Sequence, residues 1–170
     1  MISDSDINKV INKETGLVKT EHFSSMKDFS IRKSSCYDNS MAGLLANDLK
    51  SMKLDNPFKN IDYKTLIKKH FWNGKYFYDD LRRKDYLSGD ANLFPFLFGL
   101  CSDKEMLKSS FGSMQEVNLD QPFPLKYTAS RDEVNFIWQE IFLRNYESNA
   151  IWTHMGPFYI KLLKQVDKKK

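Results

Sequence analysis

The sequence predicts a mainly α-helical protein with a single domain. Its apolar residues recur at spacings of three and four in several separate stretches, a pattern typical of helices that bury one face. Short polar links join neighbouring stretches, as in antiparallel helical hairpins. A length of 170 residues is enough for one sizeable core, and a hydrophobic content of 41% argues against a disordered chain.

The first hairpin is predicted from two helices, at about 35–52 and 62–70. Asp38 and Asn39 fall in the first turn of the first helix, and an Asp-Asn-Pro sequence between the two helices is a turn signal. The apolar residues of the first helix form one stripe, made of Tyr37, Met41, Leu44, Leu45, Leu49 and Met52.

Residues 71–87 mix aromatic rings with carboxylates and are predicted to form short extended segments with turns. Trp72 and Tyr78 are among the rings, and Asp80 is among the acids. Aromatic faces can cover the apolar faces of a sugar, while carboxylates accept hydrogen bonds from its hydroxyl groups. This stretch therefore predicts a wall of a sugar-binding cleft.

A second hairpin is predicted from a buried helix at 89–100 and an amphipathic helix at 103–117. Asp90 would lie near the start of the buried helix, where its carboxylate could accept first-turn backbone N–H groups or face a ligand. Residues 118–130 hold two prolines and are predicted to be a loop, and the pattern leaves the conformation of 131–148 open. A last helix is expected at about 149–165, and Pro157 inside it would kink it or remove a hydrogen bond.

Charge and composition exclude several classes of function. Residues 1–20 are predicted to be poorly ordered or peripheral, and 167–170 form a basic tail. The net charge of +4 comes largely from short Lys/Arg runs of the kind found on solvated surfaces, and no motif of a nucleic-acid-binding module occurs. The N-terminus lacks the features of a signal peptide, and no apolar run is long enough to span a membrane. A cytoplasmic protein without nucleic-acid or membrane partners is expected.

Metal and cofactor chemistry receives no support from the sequence. The three histidines, His22, His70 and His154, are far apart and have no ligand-type neighbours at metal-binding spacing. There is no Walker loop and no GxGxxG sequence, and two cysteines do not make a disulfide framework. No metal and no cofactor are therefore expected.

Two carboxylates are the best candidates for chemistry. Glycoside hydrolysis needs one carboxylic acid to protonate the leaving oxygen and a second carboxylate as base or nucleophile. Asp38 in SSCYDNSM stands at a helix start, and Glu147 in RNYESNAIW stands just before the last predicted helix. Taken alone, each also fits the role of a helix N-cap or first-turn acid.

Four stretches together resemble the six-hairpin, or (α/α)6-barrel, glycoside hydrolases, in particular the group of mannosylglycerate hydrolase and the processing α-glucosidases. SSCYDNSM resembles their Ser-Gly-x-Asp-Asn-Ser segment, and FWNGKYFYDDL resembles a Phe-Trp-x-x-x-x-Tyr-x-x-Asp segment between hairpins. SGDANLFPFLFGL is similar to a helix that ends in Leu-x-Pro-Leu, and NYESNAIWTHMGPFYIKLL to the closing segment. The resemblance covers roughly residues 23–164.

This resemblance implies an activity and roles for individual residues. It implies that 21–166 form part of an (α/α)6 toroid that hydrolyses glycosidic bonds, α-linked and with inversion. Asp38 would be the general acid. Glu147 would be the base, as the carboxylate nearest to the position where the family has glutamate and this chain has Arg144. The residues implied to line sugar subsites are Trp72, Tyr78, Asp80, Asp90 and Trp152.

The number of predicted helices bears on assembly. Five or six helices are about half of the twelve in six hairpins, so the resemblance implies a truncated or split form. A half-barrel would expose apolar helix faces and associate with a missing N-terminal half or with a second copy. Two alternatives stay open: a non-catalytic carbohydrate-binding or assembly subunit on the same half-barrel, and a helical interaction module whose aromatic residues form its core.

Overall fold

The computed structural model describes residues 4–19, 26–129 and 138–166. The described residues are mainly helical, and isolated bridges pair Ile11 with Val18, Trp72 with Phe77 and Lys126 with Ile151. The predicted mainly α fold of helical hairpins is therefore confirmed. The α-helices are α1 (Asp4–Val10), α2 (Cys36–Ser51), α3 (Tyr63–Phe71), α4 (Gly89–Leu97), α5 (Lys104–Glu116) and α6 (Gly156–Val166), and two 3-10 turns cover Trp138–Ile141 and Thr153–Met155.

Helix α4 is central to the packing of the described helices. It contacts α2, α5 and α6, while α3 packs on α2 and α5 also packs on α6. The pairs α2/α3 and α4/α5 are the two predicted hairpins. The core is aromatic and aliphatic, and its most enclosed side chains include Phe71, Phe77, Ile67, Leu93, Phe111 and Met114.

The inward face of α2 is small and polar, which differs from the apolar stripe predicted for this helix. Cys36, Ser40 and Gly43 are buried, whereas Met41 and Leu45 remain 38% and 42% exposed. A Cβ atom at position 43 would lie 2.8 Å from Leu100 Cδ1 and 3.0 Å from Tyr63 Cβ, so a larger residue would force these neighbours to shift. Close approach of the neighbouring elements selects small residues on this face, so part of the apolar stripe lies at the surface.

Helix α4 ends at Leu97, earlier than the predicted residue 100. The N–H groups of Leu100 and Cys101 both donate to Pro95 O, at 3.0 and 2.9 Å, and close a turn after the helix. Gly99 has a φ of +67°, which glycine adopts without steric cost. The turn therefore takes the last residues of the apolar run out of the helix.

Helix α6 begins at Gly156 rather than at 149, which corrects the prediction for Pro157. The proline lies in the first helical turn, where its missing N–H would have no intrahelical acceptor, so it does not interrupt the helix. The preceding residues pair with another loop instead: Ile151 bridges Lys126, and the Trp152 N–H donates to Leu125 O at 3.1 Å.

The sequence predicted that residues 1–20 are poorly ordered or peripheral, and the structure describes residues 4–19 of this segment. It forms α1 and a turn closed by the bridge between Ile11 and Val18, and the side chains of Ile11 and Leu17 are buried in the core. The N–H of Val18 also donates to Asn39 Oδ1 at 3.0 Å. A few apolar residues at the turn are sufficient to attach this polar segment. The basic tail 167–170 and residues 131–137 of the undecided stretch 131–148 lie outside the described residues.

Within the described part of the chain, no helix is both long enough and apolar enough to cross a membrane.

Candidate functional site

The candidate site lies at the end of the molecule where α2 and α4 begin. Backbone hydrogen bonds join distant loops there: Cys36 N–H donates to Asp79 O at 2.8 Å, and Gly89 N–H donates to Tyr127 O at 2.7 Å. A further bond runs from Thr128 N–H to Ser148 O at 3.0 Å. The connecting segments brought together in this way are 26–35, 72–88, 120–129 and 142–152.

Asp38 is fixed in the first turn of α2 by Ser35. The Ser35 hydroxyl accepts the Asp38 N–H at 2.9 Å and donates its own proton to Asp38 Oδ2 at 2.6 Å. Ser35 is therefore the N-cap, and the two side chains close the turn reciprocally. Asp38 is 8% exposed, so it lies at the boundary between the interior and the surface.

A buried arginine joins two aspartates from separate segments. The Nη1 atom of Arg32 lies 2.8 Å from Asp79 Oδ1 and 2.8 Å from Asp90 Oδ2. Tyr86 donates its hydroxyl proton to Asp79 Oδ2 at 2.5 Å, and the Ser88 hydroxyl donates to Asp90 Oδ1. We call these five residues the Arg32 cluster. Ion pairs this deeply buried are tolerated only when nearly every polar atom is satisfied, as here.

The charges of the Arg32 cluster fix its protonation. Burial pushes the pKa of Asp79 up, but the positive charges of Arg32 and Lys27 and the hydrogen bonds outweigh it, so that this pKa lies well below the ordinary value. Burial and the charge of Asp79 both raise the pKa of Tyr86, which therefore remains a phenol donor. Asp79 is thus held as a carboxylate between cationic and hydroxyl donors.

Asp90 combines a helix-start role with the ion pair. Its Oδ1 atom accepts the Ala91 N–H at 2.8 Å in the first turn of α4, which confirms the predicted contact with a first-turn amide. The side chain is fully buried and its other oxygen holds Arg32. In this arrangement Asp90 organises the interior of the site and does not face solvent.

Asp80 and Glu147 both bind the backbone of the segment before α2. Asp80 Oδ2 accepts the Lys33 N–H at 2.7 Å, and the two Glu147 oxygens accept the N–H groups of Phe29 and Ser30, each at 2.6 Å. Glu147 is 2% exposed. The sequence placed it just before the last helix, but it lies in a turn well before α6, where the amides of the facing segment need acceptors.

Residues 26–33 therefore form a strap across the site. Besides the bonds above, Tyr127 donates its hydroxyl proton to Met26 O at 2.8 Å, and Tyr146 donates its own to Asp28 Oδ2 at 2.7 Å. Lys27 is 1% exposed, and its Nζ atom lies 5.3 Å from the centroid of the Tyr127 ring. Nearly every residue of the strap is fastened to a different part of the site.

The predicted aromatic residues separate into two groups. Trp152 packs edge-on against Tyr146 at 5.2 Å and lies 5.7 Å from Tyr127, next to the turn that carries Glu147. Trp72 instead packs edge-on against the core residue Phe77 at 4.9 Å. Tyr78 packs against Tyr76 at 6.1 Å. Trp152 therefore belongs to the site region, whereas the ring contacts of Trp72 and Tyr78 lie within their own turn.

The residues of the site that the sequence did not indicate include Lys27, Arg32, Tyr127 and Glu140. Glu140 is buried, and its Oε1 atom accepts the N–H of Glu147 at 3.0 Å. Lys27 and Arg32 come from a stretch without apolar periodicity, so no local pattern indicates that they turn inward. The available signal is that cations precede the SSCYDNSM segment in a stretch that also carries aromatic rings.

No group of three or more His, Cys, Asp and Glu side chains in residues 4–19, 26–129 and 138–166 is arranged to hold a metal ion. His154 is exposed and lies edge-on to Trp152 at 5.8 Å, and both cysteines are free thiols. Neither arrangement supplies a ligand set.

The chain matches no known protein-family model, and no curated protein is recognisably similar to it in sequence.

Proposed function

We propose that the chain is a six-hairpin type glycosidase catalytic region that hydrolyses α-linked glycosidic bonds with inversion. One observation supports this proposal above the others. Five carboxylates from three separate stretches of sequence gather beside aromatic rings at the end where α2 and α4 begin. The five are Asp38, Asp79, Asp80, Asp90 and Glu147. Acids and rings converging at one end of a helical domain provide the groups that bind and cleave sugars.

Asp38 is the proposed general acid. Its carboxyl group is oriented by the Ser35 hydroxyl and by the first turn of α2, so its direction is set before a substrate arrives. It is the least enclosed of the five carboxylates. Protonation of the leaving oxygen by a carboxyl group held in this way is the contribution expected of the acid.

Glu147 is the proposed base. Each of its oxygens accepts one backbone N–H, and a carboxylate oxygen can accept a second hydrogen bond. The remaining lone pair could hold the attacking water, while the amides of Phe29 and Ser30 fix the orientation of the carboxylate. Removal of a proton from that water would complete the inverting mechanism.

The variant Asp38→Asn tests the acid. It keeps the side-chain shape and an oxygen that accepts from Ser35, but it cannot donate the catalytic proton. With disaccharides we expect activity to fall by about 10²–10⁴-fold. With 4-nitrophenyl α-glucoside or α-mannoside the fall should be much smaller, because nitrophenolate leaves without protonation.

The matched control is Asp48→Asn, an exposed aspartate on the same helix, which should leave the activity unchanged. Proton NMR of the first-formed sugar reports whether the anomeric configuration is inverted. Full activity of Asp38→Asn towards disaccharides would reject Asp38 as the acid, and retention of configuration would reject inversion.

A non-catalytic carbohydrate-binding subunit is the second candidate, and one observation favours it. Asp79, Asp80, Asp90 and Glu147 are all hydrogen-bonded to protein donors and buried. Carboxylates committed in this way hold a surface in shape and do not exchange protons readily. Sugar binding without turnover in the assay above would support this candidate.

We also propose that the exposed part of α2 is an association surface. Met41, Leu45 and Met52 on this helix are exposed, which supports contact with a second copy or with further helical hairpins. Light scattering should report a species larger than the monomer, and Leu45→Glu should dissociate it. A monomeric wild-type protein would contradict this proposal.

A further inference from the structure

Two buried polar atoms on the segments that meet at Glu147 have no hydrogen-bond partner among the described residues. They are the Nζ atom of Lys27 and the Oδ1 atom of Asn149. Native structures satisfy the large majority of buried polar atoms, since an unmade hydrogen bond in the interior costs free energy. A donor and an acceptor left in this state in the same region indicate a ligand that provides both functions.

The two atoms belong to segments that the structure holds together. Lys27 precedes Phe29, whose N–H is bound by Glu147, and Asn149 follows Glu147 in the same turn. Tyr127 and Thr128 link the two sides: the Tyr127 ring lies 5.3 Å from Lys27 Nζ, and Thr128 N–H donates to the carbonyl oxygen of Ser148, the neighbour of Asn149. The unpartnered donor and acceptor therefore lie on the two segments that Glu147 joins, each two positions from a residue of that contact.

The hydrogen-bonding capacity of the two groups defines the ligand chemistry. An ammonium group only donates, and the amide oxygen of asparagine only accepts. A hydroxyl group both donates and accepts, so neighbouring hydroxyl groups of one sugar ring could bind to both side chains. A ligand that only donates or only accepts would leave one of them unpaired.

The local charge decides between a neutral and an acidic sugar. The cations Lys27 and Arg32 are balanced by the anions Asp79 and Asp90, and the charge of Lys27 acts on Asp79. A carboxylate or phosphate on the ligand would add a negative charge that no further cation of the Arg32 cluster neutralises, and Glu147 lies close by. Burying such a charge is costly, so a neutral ligand fits this place better.

We propose that Lys27 and Asn149 form a hydroxyl-binding subsite for a neutral sugar beside Glu147. The choice of a sugar as ligand rests on the proposed function, whereas the pairing of donor and acceptor does not. Both groups are enclosed, so the ligand reaches them when the 26–30 part of the strap moves outward. Sugar binding should then protect this part of the strap from hydrogen exchange.

Binding of D-glucose, D-mannose and D-glucuronate to the full chain tests the subsite, measured by calorimetry or by saturation-transfer NMR. Lys27→Met removes the ammonium and keeps the length of the side chain, and Asn149→Ala removes the acceptor. We expect the Kd of the neutral sugar that binds to rise about tenfold or more in Lys27→Met and about fivefold in Asn149→Ala. The exposed-residue controls Lys108→Met and Asn47→Ala should change it by less than about twofold.

The subsite is overturned if neither neutral sugar binds, if the Kd is the same in Lys27→Met as in the wild type, or if glucuronate binds more tightly than both neutral sugars. Unchanged sugar binding in a Lys27→Met protein of higher stability would indicate a resident water alone and would also overturn it. Should Lys27→Met fail to fold, Lys27→Gln replaces it; this variant keeps an N–H donor without the charge and should bind with intermediate affinity.

Binding and hydrolysis separate this inference from the proposed function. Sugar binding that depends on Lys27 and Asn149 without any hydrolysis would leave the subsite standing and reject the glycosidase. Hydrolysis that depends on Asp38 but is unchanged in Lys27→Met and in Asn149→Ala would support the glycosidase and reject the subsite.

Discussion

The two ends of the molecule use an aspartate at a helix start in different ways. At one end, Asp62 and Asp103 cap α3 and α5 from the surface, and their carboxylates accept first-turn amides such as that of Thr65. At the other end, Asp38 and Asp90 lie in the first turns of α2 and α4 and are buried. Residue type and helical position are nearly the same, while the surroundings are opposite.

The helix-start aspartates differ in burial because the strap, residues 26–33, lies at only one of the two ends. At the surface end, water solvates whatever part of the carboxylate the helix leaves free. At the buried end that solvation is replaced by the Ser35 hydroxyl at Asp38, and by Arg32 and the Ser88 hydroxyl at Asp90. All the charged side chains that the described residues bury lie at this end: Lys27, Arg32, Asp38, Asp79, Asp80, Asp90, Glu140 and Glu147. A helix-start acid therefore becomes part of a site only when another segment covers it.

The largest expected effect is the loss of Arg32. Arg32→Met would leave Asp79 and Asp90 buried without their shared cation, and we expect a loss of about 3–5 kcal/mol in the free energy of unfolding. Arg82→Met is the matched control, because Arg82 is partly exposed and its Nε atom lies 3.7 Å from Asp80; we expect less than about 1 kcal/mol. Urea unfolding measures both. Equal losses would show that burial at the strap end does not distinguish the two arginines.

The pH dependence of Asp79→Asn sharpens the comparison. The pKa of Asp79 is lower in the folded protein than in the unfolded chain, so its ionised form stabilises the fold above about pH 4, and this contribution is lost as the pH falls through the folded-state pKa. At pH 7 we expect Asp79→Asn to lower the free energy of unfolding by on the order of 2–3 kcal/mol. The difference from the wild type should become smaller below about pH 4.

The surface counterpart is Asp62→Asn. The side-chain hydrogen bond from Thr65 is the main cause that lowers the pKa of Asp62, but this residue is exposed to solvent. The difference in free energy of unfolding between Asp62→Asn and the wild type should have the same sign as that for Asp79→Asn and be much smaller. If the difference in free energy of unfolding between Asp79→Asn and the wild type increased at acid pH, it would contradict the assignment of Asp79 as a carboxylate in the folded protein.

The smallest expected effect concerns the surface cap of α5. Asp103→Ala removes the acceptor for the N–H groups of Glu105 and Met106, and we expect a loss of about 1 kcal/mol in the free energy of unfolding. Asp103→Asn keeps an acceptor and should recover most of it. A loss as large as that of Arg32→Met would mean that surface caps and buried pairs contribute alike.

Much of the helical framework was predictable from local pattern. The spacing of apolar residues placed α2, α3 and α5 to within about two residues, and acceptance of a first-turn amide was one of the two roles expected for Asp90 near the start of α4. Pro157 was misread because the start of α6 depends on the pairing of Ile151 with Lys126, which lie in different loops. The inward face of α2 was misread because the close approach of Leu100 favours Gly43 over a larger side chain.

The candidate site was predictable only in part. Its acids stand beside aromatic residues in the sequence, and Asp38, Asp80, Asp90, Glu147 and Trp152 do gather around the strap. Their partners come from a stretch without a periodic pattern, so neither Arg32 nor Lys27 could be assigned from the sequence. Whether the gathered acids cleave sugars remains a prediction, for which Asp38→Asn is the test.

The sequence by itself determined the features that are settled within one or two helical turns: where most helices lie and which loops contain prolines. Only the tertiary structure decided which charges are buried and with which partners. Arg32 binds Asp79 and Asp90, which lie 47 and 58 positions further along the chain. Local spacing does not record such a pairing. Its free energy combines the cost of removing water from the charged groups with the attraction between them, and only the fold brings these groups together.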